Sequence, residues 1–251
     1  MKIAVLQTVS PAGDRDAALG ALRPALAAAG AAGAAVLVTP ETFLPGYNVE
    51  GPGAAALTRG QATALAGPLC RAAGCGLVLG YAERDGDRVF NAALALDAEG
   101  RDLANYRKIQ LYGPREQTLY APGEAYTVFE LQGVRAGLLI CYDVEVFAHV
   151  AELRRRGVRL LLAPTANMRP FTHVSRVTVP AHAANGEMTI AYANYCGTEG
   201  DLAYAGGSVI AGPHGEVVAQ AGETPALLIA ELPDPDPARS FDPVGDFRPG
   251  R

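Results

Sequence analysis

Cysteine is scarce in this chain. Cys70, Cys75, Cys141 and Cys196 are the only four among 251 residues. Their spacing makes neither a disulfide framework nor a C-x-x-C pair, which argues against a stapled secreted scaffold and against the usual structural zinc sites. His149, His173, His182 and His214 do not stand at ligand spacing either, so neither a metal nor a cofactor is expected. Basic residues are outnumbered: 21 Lys and Arg face 26 Asp and Glu, for a net charge of -5. The densest basic run, Arg154-Arg155-Arg156, reads as a solvated helix face, and nucleic-acid binding is disfavoured. Long apolar runs are missing too. Met1 to Leu6 turns polar at Gln7-Thr8, and the Ala-rich stretch Ala25 to Ala35 carries glycines. Neither suits a signal segment or a membrane span. A cytoplasmic protein is expected.

Apolar residues are abundant, at 49%, enough for one domain with a large core. We place that domain at 1–232. A Pro- and Asp-rich arm without periodicity follows at 233–251. Apolar runs predict strands at 2–7, 35–39 and 76–82, a hairpin at 88–97 and 101–107, and another at 126–131 and 134–140. Further strands are expected at 158–163, 188–194, 206–211, 216–221 and 226–231. Helices are expected at 14–30, capped by Asp14, at 53–74 with a break at Gly67-Pro68, at 145–156, and at 173–185 with Pro180 as an interruption. About ten strands overfill one open sheet. The pattern predicts an α/β fold of two mixed sheets face to face with helices outside, a four-layer α-β-β-α sandwich.

Three of these strands end in chemistry-bearing residues. Val36 to Pro40 runs into Glu41, Leu103 to Arg107 into Lys108, and Gly133 to Ile140 into Cys141. Strand carboxyl ends are where α/β folds display reactive groups. Singly, each has an ordinary reading: a buried inert thiol, a loop carboxylate, a surface ammonium. Together they compose a hydrolytic site that needs no histidine.

The segments Pro40-Glu41-Thr42-Phe43-Leu44-Pro45-Gly46-Tyr47, Tyr106-Arg107-Lys108-Ile109-Gln110-Leu111-Tyr112-Gly113 and Leu139-Ile140-Cys141-Tyr142-Asp143 resemble the three signature segments of the nitrilase superfamily of carbon–nitrogen hydrolases. Glu116 falls where many members carry a second glutamate. Asn105 to Lys108, Pro164 to Met168 and Tyr192 to Gly197 resemble bacterial aliphatic amidases such as 5-aminopentanamidase. The resemblance implies a cysteine nucleophile at Cys141 and a base at Glu41. It implies an oxyanion donor at Lys108, joined by the Tyr142 N–H, and at Glu116 a carboxylate that orients either Lys108 or the substrate nitrogen. It implies a pocket lined by Tyr47, Tyr112, Tyr142, Glu145 and Asn167. The expected reaction is hydrolysis of a small aliphatic primary amide through a Cys thioester, with 5-aminopentanamide a candidate. Glu145, Glu199 and Asp201 are candidate partners for its ammonium.

The chain departs from the family pattern after the nucleophile. Ala148 and Ala151 stand where a glutamate and an arginine are common, and His182 and Asn185 where an arginine and a glutamate are common. This reads as an ionic network retired in both partners, which can be neutral for stability. Two readings therefore stay open at this point: a nitrile or N-carbamoyl hydrolase using the same residues, and a catalytically silent scaffold. Apolar Val144, Val146, Phe147 and Val150 exceed what a one-sided surface helix needs. Together with the family's pairing habit they predict a homodimer or higher homo-oligomer.

Overall fold

The computed structural model describes residues 1–248. The first half alternates β1 (Lys2–Val9), α1 (Arg15–Ala31), β2 (Ala34–Val38), α2 (Arg59–Ala73), β3 (Gly76–Asp85), β4 (Arg88–Leu96), β5 (Asp102–Arg107) and α3 (Gly113–Leu119). The second half begins with β6 (Thr127–Leu131), β7 (Val134–Leu138), α4 (Tyr142–Glu145), α5 (Phe147–Arg155) and β8 (Leu160–Pro164). It continues with α6 (Val179–Asn185), β9 (Thr189–Ala193), β10 (Tyr195–Cys196), β11 (Thr198–Glu199) and β12 (Leu202–Ala203). It closes with β13 (Val209–Ala211), β14 (Val217–Gln220) and β15 (Ala226–Glu231).

Two mixed sheets result, as the strand count predicted. The first runs β10-β1-β2-β3-β4-β5, with β15 also on β1, and the second runs β14-β13-β9-β8-β7-β6. Their inner faces share one apolar core. Ile3, Val36, Val78 and Tyr106 of the first sheet meet Leu138, Leu160, Ile190 and Val209 of the second, all essentially inaccessible. A second core under α1 and α2 packs Leu22, Leu26, Ala62 and Cys70 onto the outer face of the first sheet. The alternation of inward and outward residues along each strand separates these two layers.

Asp14 caps α1 as expected, accepting from the N–H groups of Asp16 and Ala17. The expected helix 53–74 is corrected at both of its landmarks. It starts at Arg59, because Thr58 and Gln61 form a reciprocal capping box there. One 3-10 turn, Pro52–Ala55, precedes it. Nor does Gly67-Pro68 break it. Proline costs a hydrogen bond at the missing N–H, but burial of Ala66, Gly67 and Cys70 keeps the helix whole. The helix after Cys141 starts earlier than expected, at Tyr142, and is interrupted at Val146. The segment expected as a helix from 173 opens with a wide turn, Val174–Thr178, before α6. Helix α3 and the short strands β10, β11 and β12 were not foreseen. The expected strand 206–211 is only Val209–Ala211, since Gly206 and Gly207 both take left-handed backbone.

Past Glu231 the chain forms no helix or strand through residue 248. It still lies against the body. The Leu232 N–H donates to Met1 O at 2.8 Å, the Asp236 N–H to His214 Nε2 at 2.8 Å, and Val244 is buried. The last three residues of the expected arm, 249–251, lie outside the described residues. No helix among the described residues is long and apolar enough to cross a membrane. All four cysteines are free and buried.

Candidate active site

The strands β2, β5, β7 and β8 point their carboxyl ends at one place. One backbone bond stitches the two sheets together there: the Glu41 N–H donates to Thr165 O at 3.2 Å. Within the second sheet the Cys141 N–H donates to Pro164 O at 3.0 Å. Gly80 permits the approach of the Glu41 segment to β3: a Cβ there would sit 2.2 Å from Pro40 O and 3.0 Å from Glu41 Cα. Cys141 itself is held at φ 47, ψ -106. That is a strained conformation for a residue with a Cβ, of the kind found where function dictates geometry.

Beneath Cys141 lies a dry ion cluster. Lys108 Nζ donates to Glu41 Oε1 at 2.6 Å and to Glu116 Oε1 at 2.8 Å. All three side chains have 0% exposure. Asn91 Nδ2 also donates to Glu41 Oε1, at 2.7 Å. Glu41 Oε2 is left with no hydrogen-bond partner. It is the carboxylate's free acceptor, and it belongs to the residue expected to act as base. Glu116 is held at both oxygens. The Tyr47 hydroxyl donates to Oε1 at 2.7 Å and the Tyr112 N–H to Oε2 at 2.9 Å.

Burial sets the protonation states. It raises the Glu41 carboxyl from 4.5 to about 6, with Lys108 pulling against the rise and Glu116 adding to it. Burial also opposes the charge on Lys108, but Glu41 and Glu116 outweigh it and hold the ammonium well above its ordinary range. The Cys141 thiol is pushed well above its ordinary value, first by burial and then by the Glu41 charge. The resting sulfur is therefore a thiol, and it needs a base at the moment of attack.

Asp143 lies in the third signature segment, where the sequence alone assigns it no role. In the fold it is fully buried and ties the nucleophile turn to the Lys108 loop. Its Oδ2 accepts from the Tyr106 hydroxyl at 2.9 Å and the Ile140 N–H at 3.0 Å, and its Oδ1 accepts from the Gln110 N–H at 2.7 Å. Burial raises its carboxyl, against the pull of Lys108. Asn91 was missed as well. An asparagine inside an otherwise apolar strand, Phe90 to Leu96, was the available signal.

Over Cys141 opens a cavity of about 300 Å³. All five expected pocket residues line it: Tyr47, Tyr112, Tyr142, Glu145 and Asn167. Ala166, Met168, Phe171 and His173 complete the wall and were not foreseen. Tyr112 and Tyr142 meet edge to face, with centroids 5.3 Å apart. Asn167 Nδ2 donates to Phe171 O at 2.9 Å, which folds the 167–171 loop over the pocket. Glu145 is the one carboxylate lining it. Burial raises this carboxyl, and His173 and Lys108 act against the rise. Tyr142 opens α4, so its N–H has no intrahelical acceptor and is free for a ligand.

Three expectations are corrected here. Glu199 and Asp201 do not line the pocket. Glu199 is 5% exposed and takes a hydrogen bond from the Tyr204 hydroxyl, so it is neither a solvated loop acid nor a group at the pocket mouth. Asp201 accepts from Asn48 Nδ2 at 2.9 Å. Glu116 reaches Lys108 and not the pocket, so of its two expected roles the geometry allows the first. Two of the four apolar residues cited for pairing, Val144 and Val150, face inward with 0% exposure. Where the family's ionic network is missing, His182 Nδ1 meets Val144 O at 2.8 Å and its ring packs at a tilt against Phe147, with centroids 5.1 Å apart.

A larger cavity, about 360 Å³, lies beside Arg59, Arg88 and Arg107. Of the acids lining it, Glu83 is engaged by Arg107, and Arg59 is engaged by Asp102. It carries no nucleophile, and the smaller cavity over Cys141 is the reactive one. Among the described residues no group of His, Cys, Asp and Glu side chains could hold a metal ion.

Comparison with known proteins agrees with this geometry. The family description Carbon-nitrogen hydrolase matches residues 2–236. A hydrolase in the pqqF 5′ region of Pseudomonas protegens is 41% identical over 202 residues, covering 78% of this chain and 71% of that protein. Two structures of an amidase from Nesterenkonia sp. AN1 superpose with a TM-score of 0.89 at 36% identity. One shows the result of Michael addition of acrylamide at the active-site cysteine, with 99% of this chain and 96% of that chain covered. The other is a mutant in complex with butyramide, with coverage of 99% and 94%.

Proposed function

The chain belongs to the carbon-nitrogen hydrolase family and is an enzyme of the nitrilase superfamily acting on amides; from that premise we propose that it hydrolyses short aliphatic primary amides to the acid and ammonia. The observation that supports this most is the dry cluster of Lys108 between Glu41 and Glu116 under the Cys141 cavity.

The mechanism follows from the protonation states. Glu41 Oε2 takes the thiol proton as Cys141 Sγ attacks the amide carbon. The developing oxyanion is met by Lys108 Nζ and the Tyr142 N–H, donors already in place before charge appears. Glu41 returns its proton to the nitrogen, the C–N bond breaks, and ammonia leaves a thioester on Cys141. Glu41 then takes a proton from water, which attacks the thioester; the C–S bond breaks, the acid leaves, and Glu41 returns the proton to Cys141 Sγ. Glu116 acts by fixing Lys108. Asp143 holds the two loops that carry Lys108 and Cys141 in register.

The cavity's size suits an acyl chain of a few carbons. Glu145, a carboxylate lining a largely apolar wall, favours a substrate with a distal ammonium, such as 5-aminopentanamide. A pair shielded from water supplies a few kcal/mol of discrimination, an exposed one under ~1. We also read the protein as cytoplasmic and at least dimeric, with residues 1–232 as its one domain and 233–251 as an arm.

Ammonia release is the test. Butyramide, pentanamide and 5-aminopentanamide are compared with matched nitriles and N-carbamoyl compounds. Turnover of the amides with kcat/KM highest for 5-aminopentanamide is expected. Equal values for pentanamide and 5-aminopentanamide remove the amine preference, and faster nitrile or carbamoyl turnover overturns the amide assignment.

A further inference from the structure

Helix α3 grips Tyr47 at both ends. Glu116 Oε1 accepts the Tyr47 hydroxyl at 2.7 Å. From the preceding position, Arg115 Nη1 donates to Tyr47 O and Nη2 to Val49 O, each at 2.9 Å. The Arg115 guanidinium also lies 5.7 Å from the centre of the Tyr47 ring. Arg115 forms no ion pair among the described residues, although it is exposed. A surface arginine normally meets carboxylates or water. Here both arms of a planar fork close on two carbonyls of one loop, a use that depends on the fork's rigid geometry.

The loop so held is the one that needs holding. It begins at Glu41 and is tied to β3 at Leu44 by backbone bonds with Gly80 and Ala82. It then passes without regular strand through Tyr47, which lines the cavity, to Asn48, whose Nδ2 donates to Glu199 O. Tyr47 shares Glu116 Oε1 with Lys108 Nζ. The tyrosine's placement thus bears on the cavity wall directly and on the ammonium through a common acceptor.

We propose that Arg115 is a positioning residue that latches the Tyr47–Val49 loop over the acyl pocket, so that its guanidinium sets affinity for small amides by way of the Tyr47 ring. The proposal rests on the amide-hydrolase reading of the same site. Losing the latch lets the loop lift, enlarges the pocket and weakens the grip on a short acyl chain. Chemistry at Cys141 suffers less, because Lys108 keeps both carboxylates.

The variants are Arg115→Met, which keeps the apolar stem, and Arg115→Lys, which can serve only one carbonyl at a time. Steady-state ammonia release from butyramide gives kcat and KM. Protection of Cys141 from iodoacetamide by butyramide, read by peptide mass, gives affinity without requiring turnover. Arg115→Met is expected to raise KM and the protecting concentration about tenfold while kcat falls less than threefold. Arg115→Lys should recover part of the loss. In a Tyr47→Ala background Arg115→Met should add nothing, because the latch no longer has a ring to place. Unchanged KM and protection in a folded Arg115→Met variant overturn the proposal. So does a lowered melting temperature with intact kinetic constants, an equal loss in the Tyr47→Ala background, or a lysine no better than methionine. A wild-type protein that turns over no amide but still shows the protection difference defeats the amide-hydrolase reading and leaves the latch standing.

Discussion

Lys108 Nζ stands 2.6 Å from Glu41 Oε1, across 67 positions of sequence, with both side chains at 0% exposure. Such a pair is a poor source of stability, because desolvating the two charges offsets their attraction. Its value is chemical. The ammonium is pinned beside the nucleophile, and Glu41 keeps its second oxygen free.

Removing any member of this set should stop catalysis. Cys141→Ala, Glu41→Gln and Lys108→Ala are each expected to lower kcat/KM by a hundredfold or more. Cys141→Ala should keep its melting temperature, since only a sulfur is lost. Appreciable ammonia release from Cys141→Ala would end the thiol mechanism.

The Glu41 carboxyl, raised to about 6 by burial, predicts the acid limb of the pH profile. The base form is required, and its fraction rises with pH through the folded value. Below that value log kcat/KM should fall with unit slope. A profile flat down to the ordinary glutamate range would show that Glu41 is not the titrating base.

Asp143 should matter for both stability and rate. Asp143→Asn keeps the shape but exchanges one acceptor oxygen for a donor facing N–H or O–H groups. A buried mismatch of this kind costs about 1–3 kcal/mol, or roughly 2–4 °C in Tm per kcal/mol at this chain length. Loss of register between the Cys141 and Lys108 loops should lower kcat more than it raises KM. Differential scanning fluorimetry and ammonia release on the same sample check both.

Association should be visible in solution. Val177 is 63% exposed and Phe171 38% exposed, and Val146 and Phe147 are only half covered. Sedimentation at micromolar concentration is expected to give a species of at least twice the 26.0 kDa chain mass. A monomer there would contradict the dimer reading.

Much of this was legible along the chain. Apolar runs predicted the strands because a strand buried on both faces, such as Ala34–Val38 or Leu160–Pro164, has nowhere to put a polar residue. Glu41 and Cys141 were legible because each ends such a run, whereas Lys108 follows a half-buried strand that carries Asn105 and Arg107 and was legible through the signature segment around it. Helix α3 was not. It is a single short stretch opened by Gly113-Pro114, with only Glu116 buried, and so it has no apolar period to read. Asn91 stands out along the chain only as a polar residue in an apolar strand, and Glu41 reaches it within the first sheet; Asp143 gains Tyr106 and Gln110 only when the two sheets pack. Phe171 and His173 reach the pocket through a loop whose path depends on the Asn167 bond to Phe171 O. Local sequence determined which residues form elements and which stand at their ends. The sheet order, the shared Glu116 oxygen and the shifted protonation states came from tertiary structure alone, because burial and distance are properties of neighbours far apart in the chain.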